Sequence, residues 1–195
     1  KPAPFQWYAP RTVAEAVATL HAANGADGHG AKVLAGGQSL IPVLAMRLAE
    51  PGHLVDINGI AGLDLIEVSP EGVRIGALVR HADLLAHDEA NAVLPLLGQA
   101  LANVAHATIR NRGTTVGSLA HADPSGEMTA VLALTGGTIT AAPVRGEREI
   151  AAEDFFLGPL ESALEPDELA IAAYFPAFAP GTGTAFVEMA RRHGD

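Results

Sequence analysis

The chain has no cysteine among its 195 residues. That excludes disulfides, thiol nucleophiles, cysteine-rich zinc sites and cysteine-ligated iron–sulfur clusters, so any such cluster belongs to a partner. Positive charge is scarce too: 12 Lys and Arg stand against 22 Asp and Glu, a formal net charge of −10. Such a balance opposes the phosphate backbone of DNA or RNA, and Arg110 with Arg112 is a local pair rather than a basic stripe, so no nucleic-acid partner is expected. Gly, Pro or charge interrupts every apolar run before the roughly 18 residues of a membrane span, and no basic-then-apolar leader opens the sequence. The expected location is the cytoplasm. The eight histidines include no H-E-x-x-H and no close pair with facing carboxylates, so no metal site is expected. There is also no G-x-G-x-x-G after a strand and no G-x-x-x-x-G-K-S/T, which argues against a Rossmann dinucleotide site and a P-loop.

What is present begins with a hydrophobic content of 49%, sufficient for a real core in one large domain or two lobes. Thr12 and Glu15 form a capping box, Val13, Ala16, Val17 and Leu20 mark a helical face, and Asn24-Gly25 closes the helix. A strand at Val33–Ala35, a helix at Leu40–Leu48 and a strand at Leu54–Ile57 give a βαβ-like unit that ends near Asn58. Beyond it, Leu65–Val68 and Val73–Val79 flank Ser69-Pro70-Glu71-Gly72 and read as a hairpin. Helices are expected at His81–His87, Pro95–Ala105 and Pro124–Leu134, and strands at Thr138–Ala142, Arg148–Ile150 and Leu169–Phe175. The class is α+β: a small N-terminal lobe over residues 1–58 and a larger, mainly antiparallel lobe over 59–178, with 179–195 as the start of a further domain.

Two loops carry chemistry. In Lys32–Leu40 a strand runs into Gly36 and Gly37, which let backbone N–H groups turn inward, while Gln38 and Ser39 add polar donors. Ser39 can cap the following helix and Pro42 lies in its first turn, so an anion at this loop also meets a helix N-terminus. The second, Thr108–Glu127, has few residues able to form a core, and loops this long are often functional. Gly113, Thr114, Thr115, Gly117 and Ser118 supply flexible backbone and hydroxyls, Asp123-Pro124 reads as the N-cap and first residue of the next helix, and Glu127 falls in its first turn. There Glu127 either accepts hydrogen bonds from ribose hydroxyls or only stabilises the helix dipole.

Together these loops resemble the FAD-binding medium subunits of molybdenum hydroxylases, the family of aerobic carbon monoxide dehydrogenase, nicotine and quinoline dehydrogenases and the flavin part of xanthine dehydrogenase. The first family motif is similar to A-G-G-x-S-L, here Ala35–Leu40, and the second to R-N-x-G-T-I/V-G-G-S/N/D, here Arg110–Ser118. Ile75–Leu78, Ser118–Pro124, Asp154–Gly158, Leu164–Pro166 and Arg191–Asp195 agree in order, so the resemblance covers essentially the whole chain. One departure is Val116-Gly117 where the family carries two glycines, which alters one close backbone approach to the pyrophosphate. Another is length: family members continue into a C-terminal α/β domain, so a truncated subunit is expected, in keeping with the missing initiator Met.

The resemblance implies a two-lobed fold of the PCMH type with FAD stretched between the lobes. It implies that Val33, Leu34, Ala35, Gly36, Gly37, Gln38, Ser39 and Leu40 wrap the pyrophosphate and that Thr114, Gly117 and Ser118 close the other side. Glu127 takes the place of an acidic residue near the ribose, Leu164 that of a leucine against the isoalloxazine, and His121 and Asp123 lie in the same loop. No side chain need act as general acid or base. Substrate would be oxidised in a large molybdenum-cofactor subunit, and electrons would cross 2Fe–2S clusters of a small subunit to FAD here and on to an acceptor. The usual assembly is a dimer of heterotrimers. Two alternatives stand: a free-standing FAD-dependent reductase or oxidase, for which no internal catalytic residue is evident, and a cofactor-free assembly module, for which Val116 is the best support.

Overall fold

The computed structural model describes residues 1–26 and 30–192. Its N-terminal sheet has three parallel strands, β1 (Gln6–Tyr8), β2 (Ala31–Leu34) and β3 (His53–Asp56), in the order β1-β3-β2. Parallel strands need crossovers, and helices α1 (Val13–Ala26) and α2 (Leu40–Ala45) supply them. Helix α1 opens as its sequence requires: Thr12 Oγ1 accepts from Glu15 N at 3.1 Å, while Glu15 Oε2 accepts from Arg11 N at 2.7 Å. It does not stop at Asn24-Gly25. Asn24 instead sends its amide to Leu20 O and, at 2.7 Å, to Pro166 O.

The rest is built on an antiparallel sheet. Helices α3 (His81–Leu85), α4 (Asp88–Val93), α5 (Pro95–Leu101), α6 (Ala107–Arg110), α7 (Thr115–His121), α8 (Glu127–Thr135) and α9 (Ala152–Phe155) accompany strands β4 (Ile66–Ser69), β5 (Gly72–Gly76), β6 (Thr138–Ala142) and β7 (Arg148–Ala151). The hairpin β8 (Phe156–Gly158) and β9 (Glu161–Ser162) precedes the long β10 (Leu169–Pro176). The order β4-β5-β10-β6-β7 puts β10 in the middle, and it is buried from Leu169 to Ala173 and again at Phe175. Leu97, Leu101, Leu119, Met128, Ile139, Phe155 and Phe175 are fully enclosed in one contiguous core around it. Burial of each such side chain contributes about 1.5–3 kcal/mol.

Three local expectations change. The stretch expected as a core-poor loop holds helices α6 and α7, and Thr115, Val116 and Leu119 are buried in full. Tertiary packing outweighs the poor helix propensity of Thr-Thr-Val-Gly. Asp123-Pro124 does not start a helix: Asp123 Oδ1 accepts from Ser125 N at 2.9 Å and Ser125 Oγ at 2.7 Å, closing a local turn, and α8 begins three residues past Pro124 with Gly126 as its N-cap. Ser39 makes no side-chain cap bond, because its backbone is already helical at φ −91° and ψ −44°. Strand β1, helix α4 and the β8–β9 hairpin were not expected. Of the piece Arg191–Asp195, the last three residues lie outside the described residues.

Candidate functional site

Strand β2 ends at Leu34, and the chain turns through Ala35–Ser39 into α2. Gly37 sits at φ +76°, a conformation that favours glycine. Gly36 is pressed on the second motif: a Cβ there would stand 2.8 Å from Gly113 Cα and 2.9 Å from Thr114 N, so any side chain would force the two segments apart. The N–H groups of Gly36, Gly37, Gln38 and Ser39 donate to no protein acceptor among the described residues. The carbonyls are in use, with Ile41 N on Gly37 O at 2.9 Å, and the Gln38 amide turns back to Gly36 O at 3.2 Å. The loop thus presents four consecutive open donors. Val33 and Leu34 are half-buried strand positions behind it, and Leu40 is the half-buried first residue of α2.

The opposite wall is α7. Thr114 is its N-cap, with Oγ1 accepting from Gly117 N at 3.2 Å. Helical spacing sets Thr114, Gly117, Ser118 and His121 along one side, half-buried from Gly117 onward, and a Cβ at Gly117 would lie 4.0 Å from Ala35 Cβ. Val116 is turned away from this side. At 1% exposure it belongs to the core, so its side chain does not occupy the space between Gly117 and Ala35. Beneath the same turn lies His81, 4% exposed, whose backbone N donates to Gly113 O at 2.9 Å and whose Nδ1 is 3.1 Å from Thr115 Oγ1. Burial, and then the charge of Arg110, push this imidazole down to about 4, so it is neutral near pH 7.

The remaining sequence-derived candidates cluster at the other end of α7, roughly 10 Å away along a seven-residue helix. Ala122 takes the left-handed conformation there and its carbonyl accepts from Leu160 N at 2.9 Å, which ties the β8–β9 hairpin to the helix end. Asp123 is held below the usual carboxylate range by the Ser125 hydroxyl and N–H. Burial pushes the Glu127 carboxyl up, and the charges of Glu188 and Asp123 add to it. Leu164, two residues beyond β9, is half-buried against the core. The first loop and the start of α7 therefore meet directly, whereas His121, Asp123, Glu127 and Leu164 are not among the residues that line that junction.

Two residues not singled out from the sequence complete the junction. Asn58 donates to Ala35 O at 2.9 Å and Asp56 Oδ1 at 2.7 Å, and its own Oδ1 accepts from Arg80 Nη2 at 2.7 Å. Arg80 Nη1 donates to the Arg112 carbonyl. Asp56, Asn58, Arg80 and Arg112, with Leu34–Gln38, line an open cavity of about 600 Å³. The advance signal was the Asp-Ile-Asn sequence at the end of β3, which suits a turn closed by Asp56. Another open recess, of about 580 Å³ between α1, Tyr8 and His53, is walled largely by Ala18, Ala22 and Ala23 and has no such row of open donors. Among the described residues no group of three His, Asp or Glu could hold a metal ion, and no helix is long and apolar enough to cross a membrane.

Residues 3–178 match the model of the FAD binding domain in molybdopterin dehydrogenase. The 6-hydroxypseudooxynicotine dehydrogenase complex subunit alpha of Paenarthrobacter nicotinovorans is 42% identical over 195 residues, which is 100% of this chain and 64% of that protein. The carbon monoxide dehydrogenase medium chain of Hydrogenophaga pseudoflava is 40% identical over 195 residues, again 100% of this chain and 66% of the relative. Among solved structures, carbon monoxide dehydrogenase from the same organism superposes with a TM-score of 0.94 at 39% identity, covering 100% of this chain and 67% of that one. Quinoline 2-oxidoreductase from Pseudomonas putida 86 gives 0.92 at 38% identity, covering 100% and 66%. The chain thus spans just under two thirds of the length of these curated relatives.

Proposed function

The chain belongs to the family of FAD-binding domains of molybdopterin dehydrogenases, and we propose that it is the flavin-carrying part of a cytoplasmic molybdenum hydroxylase or dehydrogenase. The observation that carries this reading is the row of open N–H groups at Gly36, Gly37, Gln38 and Ser39, the first three of which belong to residues lining a cavity that Arg112 also lines. A diphosphate matches it in charge and in its need for several donors at close range, and the absence of side chains at Gly36 and Gly37 lets the backbone approach. Thr114, Gly117 and Ser118 close the other wall, and Glu127 is suited to accept from ribose hydroxyls. Leu164 offers an apolar surface to the flavin ring, with His121 and Asp123 beside the path between them. Residues 1–58 and 59–178 act as two lobes that grip the cofactor from either side.

Bound FAD supplies the reversible electron chemistry by which electrons from the 2Fe–2S clusters of a small partner subunit leave for a terminal acceptor, while substrate is oxidised at molybdenum in a large partner. The part played by this chain is to bind and orient, with no residue required as general acid or base. A dimer of such three-subunit units is the expected assembly. The rival of a cofactor-free module loses its main support, since Val116 packs in the core. The test is the visible spectrum of the purified protein followed by heat release of the cofactor: a flavin spectrum and FAD at about one per chain are expected, and a colourless protein that takes up no added FAD would overturn the reading.

A further inference from the structure

The side chain of Arg80 joins segments that the sequence keeps far apart. Its Nη2 donates to Asn58 Oδ1 at 2.7 Å, and Asn58 in turn holds Ala35 O at 2.9 Å and Leu34 O at 3.4 Å, at the root of the first loop. Its Nη1 donates to the carbonyl of Arg112, against which Gly36 packs. The backbone of Arg80 pairs with Thr114 as well, the N-cap of α7. One guanidinium therefore grips both loops from beneath the point where they touch.

We propose that Arg80 is a positioning residue, a strap that fixes the separation of the Gly36–Ser39 loop and the Arg112–Ser118 segment and thereby sets the affinity for FAD, an inference that rests on the flavin reading. Its two amino groups are spent on protein oxygens. Both partners are neutral oxygens, so Arg80 keeps its charge beside the cavity it lines, and Arg112, a second cation lining that cavity, makes no side-chain hydrogen bond to protein among the described residues. Arg80 thus adds fixed geometry to its charge, whereas Arg112 offers charge alone. Lysine cannot replace Arg80, because a single ammonium on a flexible stem does not reproduce a planar fork held between two acceptors. Burial holds the Arg80 guanidinium below its ordinary range, the Arg112 charge adds to this, and Asp83 and Asp56 oppose it, so removal of the charge eases one repulsion and gives up two attractions.

The experiment compares Arg80→Lys, Arg80→Gln and Arg112→Gln in the full chain by two readouts. The first is FAD affinity by titration at low and high salt. Both Arg80 variants are expected to bind about ten- to a hundredfold more weakly at either salt, the scale of lost charge-assisted hydrogen bonds, whereas Arg112→Gln weakens binding mainly at low salt. The second is amide hydrogen exchange without added FAD: Arg80→Lys should speed exchange in 35–40 and 112–118 together and leave β10 unchanged. Wild-type affinity in Arg80→Lys, or exchange that rises in neither segment or in one alone, would overturn the strap. If the wild type takes up no FAD, the flavin reading fails, and the exchange result alone then decides the role of Arg80.

Discussion

Of the three parallel strands, only β3 is buried along its length, and Leu44 and Leu54, each 2% exposed, pack outside the main core. Around the five antiparallel strands, β10 and the helices over it form one continuous apolar interior, which reaches the N-terminal sheet through the buried Ala16, Val17 and Leu20 of α1 and Val55 and Ile57 at β3. The charge is divided as unevenly: residues 1–58 carry four Lys or Arg and four Asp or Glu, so the whole net charge of −10 lies beyond them. The loop with the open donors thus sits on the thinner, electrically neutral unit. Its position is set by the denser one, through Gly36 on Gly113, Arg80 on Asn58 and the packing of α1 against β10. A loop on a less buried unit gains its fixed position from the contacts that a more densely packed neighbour makes with it.

Deleting core volume on each side tests this contrast most severely. Phe175→Ala, a fully buried position near the end of β10, should cost about 3–5 kcal/mol and lower the single denaturation midpoint of the chain. Leu44→Ala should instead loosen α2 and the loop before it, visible as faster amide exchange over 35–45 with a smaller change in the global midpoint. Equal global losses would show that α2 and β10 unfold as one cooperative unit.

His81 gives the next largest effect. Its folded value of about 4 lies below the ordinary 6.5, so between these the unfolded chain binds the extra proton. Stability is then fully present above pH 6.5 and falls by up to about 3 kcal/mol as pH drops towards 4. His81→Gln should flatten that part of the pH–stability curve, as measured by urea denaturation across the range.

Smaller changes come at the borders. Arg148 holds both oxygens of Glu168, at 2.7 and 2.8 Å, and the Glu168 side chain is only 4% exposed. Because Arg148 itself is 42% exposed, Arg148→Ala should cost about 2 kcal/mol near pH 7 rather than the full amount for a buried pair. The Arg148 bond draws the Glu168 carboxyl below its ordinary 4.5, so this contribution is complete above that pH and is lost as pH falls below it. The gap between variant and wild type should close in acid. His21→Ala removes only an exposed contact, 2.8 Å from Asp167, and should change the denaturation midpoint by less than about 1 kcal/mol.

The legible parts of the sequence are those where local chemistry and tertiary role agree. The hairpin β4–β5 follows from Pro70-Glu71 between alternating strands, and α2 begins at Leu40 as its apolar run requires. Strand β1 was hidden because three residues between Pro4 and Pro10 gain strand character only by pairing with His53–Val55, far along the chain. Helix α7 was hidden because Thr115, Val116 and Gly117 are poor helix formers whose conformation is fixed by the core under them. At the site, both glycine motifs were readable from their residues, while their meeting followed only from the family resemblance. Arg80 was not, since a lone arginine ahead of a helix acquires meaning only when Asn58 and the Arg112 carbonyl fold up on either side of it.

The most direct measurement is a crystal structure of the full chain with FAD bound. The diphosphate oxygens should lie within hydrogen-bonding distance of the N–H groups of Gly36, Gly37, Gln38 and Ser39, with Thr114 and Gly117 on the other side. A cofactor seated elsewhere, with those four donors still open, would contradict the assignment of the two loops as its cradle.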